Sequence, residues 1–135
     1  MEFQKIILFF ILISVGVFLG YKFFSKEQIA NYPPKNHTIV AFGDSLVEGV
    51  GATSGNDFPS LVGRLAGVPV INEGKSGDTT EAGLLRIQTV LDKDPGIVIL
   101  LFGGNDVLRR VSKEQTFKNL SSIIEQLQGH GVVVV

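Results

Sequence analysis

The 135 residues give room for one domain of ordinary size, and a net charge of -1 from 12 basic and 13 acidic residues leaves no block of charge suited to a nucleic acid. Cysteine is absent, which excludes disulfides, zinc–thiolate sites, a lipid-modified cysteine and a cysteine nucleophile. The mean hydropathy of +0.31 is high for a soluble chain, and the apolar excess sits at the N-terminus.

Residues 6–24 are apolar apart from Ser14, the Tyr21 hydroxyl and Lys22. As a helix they would span about 28 Å at roughly 1.5 Å per residue, close to the thickness of a bilayer core. Lys22 can snorkel to the interface, with Tyr21, Phe23 and Phe24 beside it. Residues 1–24 are therefore expected to be an uncleaved, single-pass membrane anchor. The alternative is a signal segment removed on export, but no Ala-x-Ala pattern follows the apolar run. Lys5 and the free amino terminus on one side nearly balance Lys22, Lys26 and Lys35 on the other, so charge does not fix the orientation. Residues 25–37 read as a linker, stiffened by Tyr32-Pro33-Pro34.

From Thr38 the chain alternates between two patterns. Residues 38–42 read as a strand. Residues 58–65 read as a short helix with Leu61, Val62 and Leu65 on one side. Residues 68–72 read as a second strand, with Pro69 marking its start or an edge position. Residues 80–91 read as one helix with Leu84, Leu85, Gln88 and Leu91 on one face. Residues 97–102, Ile-Val-Ile-Leu-Leu-Phe, are wholly apolar, which predicts a central strand covered on both faces. Ser112 and Gln115 suit a capping box. A helix should follow with Phe117, Leu120, Ile123, Ile124 and Leu127 inward and Gly129 as its stop. Residues 131–135 read as the start of a last strand. Strands alternating with helices predict a parallel sheet inside an α/β domain over residues 38–135. The chain ends within this apolar run, so the domain is expected to be incomplete at its C-terminal side.

Three of these strands end in unusual loops. The first delivers Gly43-Asp44-Ser45, the second Ser76-Gly77-Asp78-Thr79-Thr80, and the third Gly103-Gly104-Asn105-Asp106. In an open α/β sheet the carboxyl ends of the strands share one edge, which is where ligands bind. A serine, a glycine-rich backbone and a side-chain amide on one edge are the equipment of acyl transfer: a nucleophile and donors aimed at a developing oxyanion.

These three blocks, in this order, resemble the N-terminal half of the SGNH, or GDSL, hydrolase family, in particular its bacterial arylesterase, thioesterase and lysophospholipase branch. The resemblance covers residues 38–135. It implies a flavodoxin-like, three-layer α/β/α sandwich and ester or thioester hydrolysis without a cofactor. It implies Ser45 as nucleophile and an oxyanion hole formed by the backbone N–H groups of Ser45 and Gly77 and the side chain of Asn105. Gly43, Asp44, Gly103 and Asp106 would support these loops, each acid by ordering its own loop. The implied substrates are small acyl esters or lysolipids. By analogy with secreted relatives, the domain is expected outside the cytoplasm.

The family's late Asp-x-x-His segment, which supplies acid and base, has no counterpart. His37 precedes the first strand and His130 the last, so both belong at the amino edge of the sheet. The expectation is an esterase whose base lies outside these residues. Two other readings stay open. A non-catalytic carbohydrate- or lipid-binding relative would share the fold. A nucleotide-binding module would use the glycines of residues 49–55 with Glu73, although their spacing is one residue too long and they follow the strand too late. A hard cation held by Asp44 and Asp106 is disfavoured against a loop-ordering role.

Overall fold

The computed structural model describes residues 14–15 and 28–135. The predicted anchor, residues 6–24, thus falls outside the described residues except for Ser14 and Val15. Among the described residues no helix is long and apolar enough to cross a membrane.

Four strands form one parallel sheet: β1 (Ile39–Gly43), β2 (Val70–Gly74), β3 (Ile97–Leu101) and β4 (Val133–Val134), in the order β2-β1-β3-β4. β2 starts two residues later than its pattern suggested. Pro69 has no N–H to give a ladder, so pairing begins after it and continues until Gly74 lies beside Gly43.

Six helices connect the strands: α1 (Ser45–Glu48), α2 (Phe58–Ala66), α3 (Thr80–Leu85), α4 (Ile87–Leu91), α5 (Gly104–Leu108) and α6 (Lys113–Gly129). Val40, Phe42 and Val98 point to one face of the sheet and meet Ile87, Val90, Ile123, Leu127 and Val132, which form the main core. Residues of opposite parity point to the other face, where α1 and α2 pack. Phe42 and Phe102 meet edge to face at 4.9 Å within the core.

Several sequence expectations fail here for identifiable reasons. The helix predicted over 80–91 is broken at Arg86, whose backbone leaves helical geometry at φ -112 and ψ 16. Ile87 and Val90 are the residues buried beyond the break, while Leu85 is exposed. α2 buries Pro59, and Leu65 is 90% exposed. In α6, Phe117 is 73% exposed and the polar Asn119 is buried instead. β3 is fully buried only at Val98; the described helices leave the face bearing Ile97, Ile99 and Leu101 partly open. α6 does end at Gly129, but His130 is its cap and the left-handed turn falls on Gly131 at φ +73.

The stretch read as a linker is fastened from Asn31 onward. Asn31 Nδ2 donates to the carbonyls of Gln128 (2.8 Å) and Val132 (3.0 Å). Lys35 pairs with Asp94 at 2.6 Å, and Asn36 Nδ2 donates to the Asp94 carbonyl at 3.0 Å. These bonds all lie at the amino edge of the sheet, beside the starts of β1, β3 and β4.

Candidate active site

At the carboxyl edge, β1 gives way to α1 within a single residue. Asp44 is the helix N-cap: its carboxylate accepts from Leu46 N–H at 3.0 Å, and the side chain is almost wholly buried. Ser45 is the first residue of α1. Its own N–H is one of those a helix start leaves without an intrahelical partner. Gly43 is required by close approach: a Cβ there would lie 2.3 Å from both the Leu101 carbonyl oxygen and Val47 Cγ2.

The third loop faces this turn. Asn105 sits in the first turn of α5, behind Gly103, which caps that helix at φ +121. Asp44, Ser45, Leu46, Gly104, Asn105 and Leu108 line one depression of about 210 Å³. The second loop joins through Asn105, whose Nδ2 donates to the Asp78 carbonyl at 2.8 Å. Gly77, just before Asp78, does not line the depression. It turns at φ +82, a conformation few residues with a Cβ adopt, and its carbonyl accepts from Arg109 Nη2 at 2.8 Å. Among the described residues, neither the Ser45 nor the Gly77 N–H is donated to a protein acceptor.

Asp106 behaves differently from the expectation. Its carboxylate reaches across to the second loop rather than along its own. Oδ2 accepts from Thr80 N–H at 2.9 Å and Oδ1 from Thr80 Oγ1 at 2.5 Å. Thr80 Oγ1 in turn accepts from Asn119 Nδ2 at 3.0 Å, which explains why a polar residue of α6 is buried. Asp106 therefore fixes the N-terminus of α3 and is fully engaged by protein donors. Among the described residues no cluster of acids or histidines suits a metal ion.

Three further residues organise the loops without any motif to announce them. Asn72 Nδ2 donates to the Val47 carbonyl at 2.9 Å and closes the end of α1 against β2. Glu48 Oε2 accepts from Ser76 N–H at 2.5 Å. Arg86 is the third. Its signal in the sequence is a lone cation inside an apolar run, Leu84-Leu85-Arg86-Ile87, which a helical-face reading passes over.

The two histidines lie elsewhere. His37 is exposed two residues before β1, and His130 caps α6, with Nδ1 2.8 Å from the Gln126 carbonyl. β1 alone separates His37 from the Asp44–Ser45 turn by about 17 Å, at roughly 3.4 Å per residue.

Comparison with known proteins bears on the family and the fold. The sequence profile of the GDSL-like lipase/acylhydrolase family matches residues 41–135. The chain belongs to this family. It is 32% identical over 104 residues to the esterase TesA of Pseudomonas aeruginosa, covering 73% of this chain and 52% of that protein. It is 34% identical over 109 residues to the uncharacterized lipoprotein YqeF of Bacillus subtilis, covering 70% and 44%. Among solved structures, the SGNH-hydrolase family esterase AlinE4 superposes with a TM-score of 0.67 at 42% identity, covering 74% of this chain and 57% of that one. The chain thus spans about half the length of the curated relatives it matches. Its parallel sheet with flanking helices is the arrangement of the SGNH hydrolases.

Proposed function

We propose that this GDSL-family chain carries the nucleophile and the oxyanion donors of a serine ester hydrolase. The observation that carries the reading is that Ser45 and Asn105 line one depression, with a further unspent donor at Gly77 on the loop that Asn105 is bonded to. Among the described residues Ser45 N–H and Gly77 N–H have no protein acceptor, and Asn105 uses one of its two amide hydrogens on Asp78. In the reaction, Ser45 Oγ attacks the acyl carbonyl carbon and passes its proton to a general base. The carbonyl oxygen becomes an oxyanion held by the Ser45 and Gly77 N–H groups and the free Asn105 amide hydrogen. The C–O bond to the leaving alcohol breaks as the base returns the proton. Water then hydrolyses the acyl-enzyme by the same steps. The base must stand within about 3 Å of Ser45 Oγ. Neither His37 nor His130 meets this, so the base comes from outside these 135 residues and the chain alone is nearly inactive.

Small acyl esters and lysolipids are the proposed substrates. Exposed Leu46 and Leu108 give the depression an apolar wall suited to an acyl group. Residues 6–24 are proposed to hold the domain at a membrane, on its outer side. The relative named as a lipoprotein supports a membrane-attached family member, and with no cysteine in these residues the apolar segment takes the place of a lipidated one.

The test uses the protein expressed from its complete reading frame. Ser45→Ala should reduce p-nitrophenyl ester hydrolysis to background. Asn105→Ala should lower turnover by about 100- to 1000-fold, the usual effect of losing one oxyanion donor. Undiminished turnover by Ser45→Ala would end the acyl-transfer reading and leave a binding protein on the same fold.

A further inference from the structure

The break between α3 and α4 turns one side chain under the site. The Arg86 side chain is only 17% exposed, and its guanidinium meets the ends of β1 and β2 and the second loop. Nε donates to Asp78 Oδ2 at 2.6 Å. Nη2 donates to the Gly43 carbonyl at 3.0 Å and the Glu73 carbonyl at 3.1 Å. Nη1 lies 3.8 Å from Glu73 Oε2, and the group stands over the Phe42 ring, 4.7 Å from its centre.

These contacts connect the three loops in series. Gly43 is the residue before Asp44-Ser45. Asp78 follows Gly77, and the Asp78 carbonyl holds Asn105 Nδ2. The path from the serine turn to the third loop therefore runs Gly43, Arg86, Asp78, Asn105. The residue at the break between α3 and α4 is the one that makes these contacts.

We propose that Arg86 is a positioning residue for ester hydrolysis, fixing the Ser45 turn and the Asn105 amide relative to each other through Asp78. The proposal rests on the reading of Ser45 and Asn105 given above. Only a planar fork satisfies it. Arginine offers five donors in fixed directions, whereas a lysine ammonium is a single point of charge on a flexible stem. Lysine at residue 86 keeps the charge and loses the simultaneous hold on Gly43, Glu73 and Asp78.

The test has two arms. In the first, the 135-residue chain in detergent micelles is followed by NMR. In the parent, the Asn105 side-chain amide bonded to Asp78 should exchange slowly and be shifted downfield. In Arg86→Lys and in Asp78→Asn it should exchange at least tenfold faster, with the methyl signals of Val40, Val98 and Ile123 unmoved. Asp78→Asn retains side-chain size and the Asp78 carbonyl, so it serves if Arg86→Lys does not fold. In the second arm, both variants of the protein from the complete reading frame should lose kcat by about 10- to 100-fold with KM within threefold. Val90→Ala, a core truncation away from the loops, serves as the stability control and should leave kcat per folded molecule unchanged. An Asn105 amide unaltered in both variants would overturn the proposal, as would kcat losses matched by Val90→Ala. If Ser45→Ala is fully active while the NMR change appears, the clamp stands and the catalytic reading fails.

Discussion

Asp106→Ala should be among the most costly single substitutions at the carboxyl edge, and the structure gives its size. Asp106 is 1% exposed and Thr80 is fully buried. Removing the carboxylate strips the acceptor from Thr80 N–H and from Thr80 Oγ1–H at once. Asn119 offers no replacement, because its Nδ2 already donates to Thr80 and its Oδ1 already accepts from Gln115. Each buried donor left unpaired costs about 1–3 kcal/mol. Loss of a negative charge at the start of α3 adds about 0.3–1 kcal/mol. The expected destabilisation is thus about 2–7 kcal/mol, a large share of the roughly 5–15 kcal/mol that holds a domain of this kind together. Asp106→Asn should cost less, about 1–2 kcal/mol, because one oxygen still serves Thr80 N–H while the hydroxyl proton loses its acceptor. Urea unfolding followed by circular dichroism reads both values from the shift in midpoint at constant slope. If Asp106→Ala unfolds within about 0.5 kcal/mol of the parent, the range of an ordinary surface change, the clamp is not what holds α3.

Gly43→Ala should fail to fold or lower the urea midpoint sharply, because its Cβ would fall 2.3 Å from a backbone carbonyl and from Val47; a midpoint equal to the parent's would refute the close approach. Asp57, the N-cap of α2, has its carboxyl held below the usual carboxylate range by the Ser60 hydroxyl and then the Ser60 N–H, both donating to the ionised form. Its contribution is present above the unfolded pKa and lost as pH falls through the depressed folded one, so the stability gap between parent and Asp57→Ala should close on acidification below about pH 4 and stay constant from pH 5 to 7. On the anchor reading, the protein should remain with membranes after a carbonate wash and begin at Met1; a mature N-terminus between Gly20 and Ala30 would show cleavage instead.

Much of the fold is legible in the sequence because the strand signals are strong. Val40, Phe42 and Val98 sit in apolar runs that end in glycine, and strands alternating with helices already call for a parallel sheet, which the four strands form. The helix faces are less legible. Leu65, Leu85 and Phe117 fit an inward stripe by spacing, yet they are exposed, because spacing cannot say how far a short helix extends beyond the sheet it covers. The candidate site divides in the same way. Ser45, Gly77 and Asn105 are visible because their loops follow strands and contain residues of known chemistry. Arg86 and Asn119, and the part that Thr80 plays within its block, are invisible, because each acts through a contact more than five residues away in the chain that no local pattern encodes.

The two edges of the sheet divide fastening from chemistry. At the amino edge, Asn31, Lys35 and Asn36 tie the entering chain to Asp94, Gln128 and Val132, and both histidines sit near these ties. At the carboxyl edge, the polar bonds run between loops: Glu48 to Ser76, Asn72 to Val47, Arg86 to Gly43 and Asp78, Asn105 to Asp78, Asp106 to Thr80. Every loop there is held by at least one bond from another, and none depends on the amino edge. A site built this way can hold its donors in place before a substrate arrives, which oxyanion stabilisation requires. On the proposed reading the donors stand in place whichever residue supplies the base, because the bonds that fix the walls beside Ser45 and Asn105 do not involve a histidine.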